Sequence, residues 1–223
     1  MCFSAQADLV GGAVLSVIGV DAVRHVRQRN GQLALAALPV LLAAHQLVEA
    51  FVWWGLQGEV NADVGRAATW IYLLFAFVVL PIYVPLAVLA LEPVGRRRLV
   101  IAGFLGLGVV VSVVLLAALL SGPPTAELGH HHISYGIGLP AGFLVTSAYV
   151  AATCGPMVFS GYHRLFVFGI VNLVAVAILA RLAISGFTSL WCGWAAVTAA
   201  VIALHLRRGG VHRSVVEALE ARS

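Results

Sequence analysis

The sequence predicts an all-α, polytopic membrane protein with seven transmembrane helices, the N-terminus outside and the C-terminus in the cytoplasm. Three observations lead there. Of 223 residues, 61% are hydrophobic and only 10% are charged, with mean hydropathy +1.01; a soluble domain carries about a quarter charged residues. No aqueous fold hides that much apolar surface, so lipid is the solvent for most of the chain. The apolar residues also fall into seven runs separated by short polar links, and the arginines gather on alternate links.

The first run, Leu9 to Val23, has Asp8 before it and Asp21 near its end, and is followed by Arg24, Arg27 and Arg29. It is the shortest candidate for a full crossing. The second, Leu33 to Leu56, carries His45, Gln46 and Glu49, and a polar link with Glu59, Asn61, Asp63 and Arg66 follows. The third, Ala67 to Leu91, contains Pro81 and Pro85, which a buried helix tolerates with a kink when neighbours satisfy the freed carbonyls. Glu92 and the cluster Arg96-Arg97-Arg98 end it. The fourth, Leu99 to Leu120, is uninterrupted, and the long link Ser121 to Gly136 follows with His130-His131-His132. The fifth, Ile137 to Phe159, reads as broken near its end by Cys154-Gly155-Pro156. His163 and Arg164 separate it from the sixth, Leu165 to Ile184, and the seventh spans Leu190 to Leu206. Residues 1–208 thus form one transmembrane domain, and 209–223 a short cytoplasmic tail.

Orientation follows from the arginines. Links 1–2, 3–4 and 5–6 and the tail hold Arg24, Arg27, Arg29, Arg96, Arg97, Arg98, Arg164, Arg207, Arg208 and Arg213, while the other side has Arg66, and Arg181 at the end of the sixth run. Cytoplasmic links carry the positive excess. The cell membrane is therefore the expected location, and the pI near 9.3 reflects topology rather than nucleic-acid binding. The opening Met1-Cys2-Phe3-Ser4-Ala5 does not read as a signal peptide. Lysine is absent, which excludes a Schiff base, a lysine nucleophile and a Walker A loop. Spans 1–3 and 5–7 share no motif, so an inverted-repeat transporter gains no support.

Chemistry is expected where ionisable groups enter a span, because each costs of order 2.5–3.5 kcal/mol to insert. Gln46, Glu49 and Trp53 form the candidate ligand-binding group; His45, one turn before Glu49, shares its helix face. A histidine and a carboxylate so placed can ligate a divalent transition metal such as Zn, hold a proton, or hydrogen-bond helices together. His45 and Glu49 need a third metal ligand, for which His132 is the candidate. The outer side also receives Cys2, Asp8, Ser134, Tyr135, Trp191 and Cys192. Cys2 and Cys192 there form a disulfide or remain buried free thiols. Trp53, Trp54, Trp70, Trp191 and Trp194 read as an outer aromatic belt.

The opening Met-Cys-Phe-Ser-Ala, with His45-Gln46-Leu47-Val48-Glu49 and Val52-Trp53, resembles a family of uncharacterised bacterial multi-pass membrane proteins. The resemblance extends to Ser189-Leu190-Trp191-Cys192 and implies that Cys2, Gln46, Glu49, Trp53 and Cys192 belong together, without implying an activity. The helix count and intramembrane His and acidic residues are similar to the seven-span ceramidase and adiponectin-receptor hydrolases. Their last-span His-x-x-x-His is absent, since the seventh run has only His205.

The expected function is a small-ligand or metal site in the outer half of the bundle around Glu49. The alternatives are a metal-dependent intramembrane hydrolase of a lipid or amide, and a small proton-coupled transporter. The expected partners are the lipid bilayer, a small molecule or lipid, and a second copy of the chain.

Overall fold

The computed structural model describes residues 4–26, 30–129, 133–136 and 142–182, with single positions at 194, 200 and 201. Helix α1 (Ala5–Val26) leads to α2 (Asn30–Gln57). Next come α3 (Ala62–Leu74), a π-helical stretch (Phe75–Val79) and α4 (Leu80–Leu91), which run as one rod, and then α5 (Arg96–Leu120). A hairpin of β1 (Thr125–Leu128) and β2 (Ile133–Gly136) precedes α6 (Gly142–Val158) and α7 (His163–Leu182).

The segments 5–26, 31–57, 62–91 and 96–120 are long and apolar enough to cross a membrane. The shortest has 22 residues, about 33 Å at 1.5 Å per residue, against roughly 30 Å of hydrocarbon. Their outer faces carry Val10, Val14 and Val17 on α1 and Val109, Val110, Val113 and Val114 on α5, all exposed. Contiguous apolar surface of this kind suits lipid rather than water. The fifth and sixth runs correspond to α6 and α7. Most of the seventh lies outside the described residues, as do the Cys2 and Cys192 of the candidate disulfide.

Small residues set the helix spacing. Helices α1 and α2 run antiparallel with Gly19 against Val40 and Gly12 against Leu47, where a Cβ would come within 2.7 and 2.8 Å of those side chains. Backbones that approach so closely gain the dispersion contacts that hold helices together in lipid. Gly58, at φ 76°, terminates α2, and the Asn61 side chain caps α3 by accepting from the Asp63 N–H at 2.8 Å. The turn between them brings Gly55 onto Gly65, backbone against backbone.

A π-helical stretch lies just before Pro81 and Pro85, the prolines at which the sequence predicts a kink. The loosened ladder there is closed from outside: Ser112 Oγ on α5 donates to the Val78 carbonyl at 2.9 Å, and the Tyr149 hydroxyl on α6 donates to that of Ala76 at 2.8 Å. Such partners are what makes a π-turn tolerable in lipid.

Two sequence readings need correction. Helix α6 is not broken at Cys154-Gly155-Pro156 but continues to Val158, because Gly155 accommodates the Phe104 ring of α5 and packed neighbours support the proline. The all-α reading also omits a hairpin in the link 121–136. Its strands pair antiparallel, with Ala126 opposite Tyr135 and Leu128 opposite Ile133. Four-residue strands are too short to show alternation in the sequence.

Candidate functional site

The spacing of Gln46, Glu49 and Trp53 places them on one face of α2, and that face points inward: Gln46 is 1% exposed, Glu49 0% and Trp53 4%. Trp53 is thus a core residue rather than part of a lipid-facing belt. Trp194 likewise points inward, its indole N–H donating to Asn172 Oδ1 on α7 at 2.9 Å.

Helix α1 adds a residue that the sequence placed on the same side but not in the group. Ser4 caps α1, its Oγ accepting from the Ala7 N–H at 3.2 Å. The first turn of α1 then carries Asp8 into the bundle at 0% exposure. Its carboxyl lies within electrostatic range of Glu49 and faces the Trp53 indole N–H. The signal for Asp8 was a carboxylate at the mouth of an apolar run; the antiparallel register of α1 on α2 turns that position toward Glu49.

Aromatic rings tie the third side together. His45, buried on α2, stacks on Tyr72 at 4.0 Å and on Phe75 at 4.7 Å, while Tyr72 stacks on Tyr135 at 4.8 Å. From strand β2, the Tyr135 hydroxyl donates to Glu49 Oε1 at 3.5 Å, the long limit of a hydrogen bond. The ladder joins α2, α3 and the hairpin, so the link 121–136 covers the site. Tyr72 and Tyr135 carried no motif in the sequence; only tertiary contact enlists them.

The site therefore collects two carboxyls, an amide, an indole N–H and a phenol in an enclosed place. The Gln46 amide has no hydrogen-bond partner for either its oxygen or its nitrogen among the described residues. A buried amide left in that state costs about 1–3 kcal/mol. His45 and Glu49 lie one turn apart as expected, yet the described residues contain no group of three or more His, Cys, Asp or Glu able to hold a metal. The third expected ligand, His132, lies outside them. Cys154 is a buried free thiol packed with Val176 and Trp194, away from this group.

A cavity of about 300 Å³ adjoins the site, lined by Val52, Gly55, Thr69, Trp70 and Ala126, with Arg66 as its charged residue. Val52 lies one turn beyond Glu49 on α2, and Ala126 is the cross-strand partner of Tyr135, so the same hairpin borders both spaces. Exposed Glu59, Asp63, Arg66 and Glu127 occupy this end of the bundle, with Arg66 paired to Asp63.

No curated protein and no solved structure matches the chain. Residues 1–216 match a family described as a family of unknown function, DUF6629, in keeping with the resemblance carried by Met-Cys-Phe-Ser-Ala and Gln46, Glu49 and Trp53. The chain belongs to that family.

Proposed function

We propose that this is a seven-span protein of the cell membrane, N-terminus outside, that binds a small polar ligand or a metal ion in the outer half of its bundle around Glu49. The observation that carries this reading is the Gln46–Glu49–Trp53 face with Asp8 brought against it from α1. Three groups that are costly to bury are collected in one place, and one of them, Gln46, has no described partner. A cluster serving only as helix–helix glue would satisfy its own polar atoms. A metal-dependent hydrolase would need three protein ligands and a water, so the binding role is preferred.

The test is purified protein in mild detergent, wild type beside Glu49→Ala, subjected to elemental analysis and a thermal-shift screen of metal ions and small polar metabolites. The expected result is a saturable rise in Tm of several degrees for at least one compound, or one bound metal per chain, lost in the variant. A screen in which nothing stabilises the wild type, with no stoichiometric metal, would leave the group a purely structural one.

The orientation is tested separately by labelling intact cells with a membrane-impermeant maleimide. Glu59→Cys, exposed between α2 and α3, should label above the wild-type background. Val94→Cys, 95% exposed between α4 and α5, should label only after the cells are opened. The reverse pattern would invert the topology.

A further inference from the structure

We propose that the ligand is a hard, oxygen-seeking cation held by the carboxylates of Asp8 and Glu49 and the amide oxygen of Gln46. This rests on the ligand-site reading above and narrows it to a chemical class.

The donor set carries the argument. Asp8 and Glu49, both at 0% exposure, come from the facing helices α1 and α2, whose antiparallel register, with Gly19 against Val40 and Gly12 against Leu47, sets the Asp8 turn opposite the Glu49 turn. Two carboxyls brought together out of water resist ionising together unless a cation lies between them. Gln46 is the independent observation. It lies on the Glu49–Trp53 face at 1% exposure, with an amide oxygen that accepts no hydrogen bond from any described residue. A carbonyl oxygen one turn from a carboxylate, with a second carboxyl on the facing helix, is the usual company of Ca²⁺, Mg²⁺ or Mn²⁺, or of Na⁺ at lower affinity. Imidazole and thiolate, which select Zn and Cu, are placed differently. The His45 ring is engaged on the α3 side by stacking on Tyr72 and Phe75, and Cys154 belongs to the α6–α7 packing.

Tyr135, whose hydroxyl donates to Glu49 Oε1, closes the site from the hairpin.

The experiment uses chelator-stripped full-length protein in detergent. Ca²⁺, Mg²⁺, Mn²⁺, Na⁺ and Zn²⁺ are titrated by Tm at constant ionic strength set with N-methyl-D-glucamine chloride. The expected result is a saturable stabilisation by at least one hard cation that N-methyl-D-glucamine does not reproduce. Its apparent Kd should rise at least tenfold in Asp8→Asn, in Glu49→Gln and in Gln46→Leu separately. Gln46→Glu, which adds a third carboxylate, should tighten the preference for divalent over monovalent ions at least tenfold. Should Asp8→Asn fail to fold, the two Gln46 variants decide. Stabilisation by Zn²⁺ alone, an equal response to N-methyl-D-glucamine, or unchanged affinity in both Gln46 variants overturns the proposal. If only a neutral metabolite stabilises, and Glu49→Ala abolishes its effect, the cation falls while the ligand site stands. If neither a cation nor a metabolite acts, both fall.

Discussion

Replacing Gly108 with alanine is expected to destabilise the bundle by about 3 kcal/mol or more, enough to lower Tm by several degrees or to prevent recovery of folded protein. Gly108 is buried on α5, and a Cβ there would run directly into the backbone carbonyl oxygen of Pro81 on α4. The obstacle is backbone, not the far end of a flexible side chain. Relief would require α5 to slide off α4, and with it Ser112, one turn on, would lose the Val78 carbonyl that it bonds at 2.9 Å. Gly103 and Gly106 on the same helix provide the comparison, since a Cβ at either meets nothing within 4 Å. Alanine at those two positions should be neutral or stabilising by roughly 0.5–1 kcal/mol through helix propensity. Thermal melts of the three variants in one detergent check this. A Gly108→Ala protein that melts like Gly103→Ala would mean that α4 and α5 are not in contact at Pro81.

The second large effect is expected at the other end of the bundle. Glu92→Ala should cost about 2–4 kcal/mol, through lost charge-assisted hydrogen bonds and the buried donors left behind. Glu92 is 4% exposed. Its carboxylate accepts from the Gly161 N–H and from Ser160 Oγ, each at 3.2 Å, and so binds the α6–α7 turn to the end of α4. The same corner is reinforced by Arg98, whose Nη1 donates to the carbonyls of Leu89 at 2.9 Å and Glu92 at 2.7 Å. The Tyr162 hydroxyl adds a bond to the Leu91 carbonyl at 3.0 Å. Glu92→Gln keeps the shape and one acceptor oxygen, so it should lose less than half as much. Equilibrium unfolding of the two variants checks the ordering. Equal losses would show that the ionised acceptor pair, not shape or a single acceptor oxygen, holds the corner. From sequence, Glu92 beside three arginines reads only as the charged end of the third run, with no such role.

Membrane character, the first six helical segments and a polar group on α2 were legible in the sequence. The reason is physical. Hydrophobic length and helix-face periodicity are local properties of the chain, and the cost of burying Glu49 in an apolar run does not depend on what it meets. Asp8 was legible only as a carboxylate near the same side. Whether it met Glu49 depended on the register of α1 on α2, which Gly12 and Gly19 set by letting the backbones close together. Trp53 was in the right group with the wrong neighbour, since a belt tryptophan and a core tryptophan differ only in which way the helix is turned.

What the sequence determined by itself is therefore the solvent, the segments and one α2 face bearing Gln46, Glu49 and Trp53. The tertiary structure alone decided that Asp8 joins that face, that His45 turns toward the rings of Tyr72 and Phe75, and that a hairpin delivers Tyr135 to Glu49. Those contacts join residues far apart in the chain. They arise from close glycine packing and ring stacking, neither of which leaves a periodic mark on the sequence.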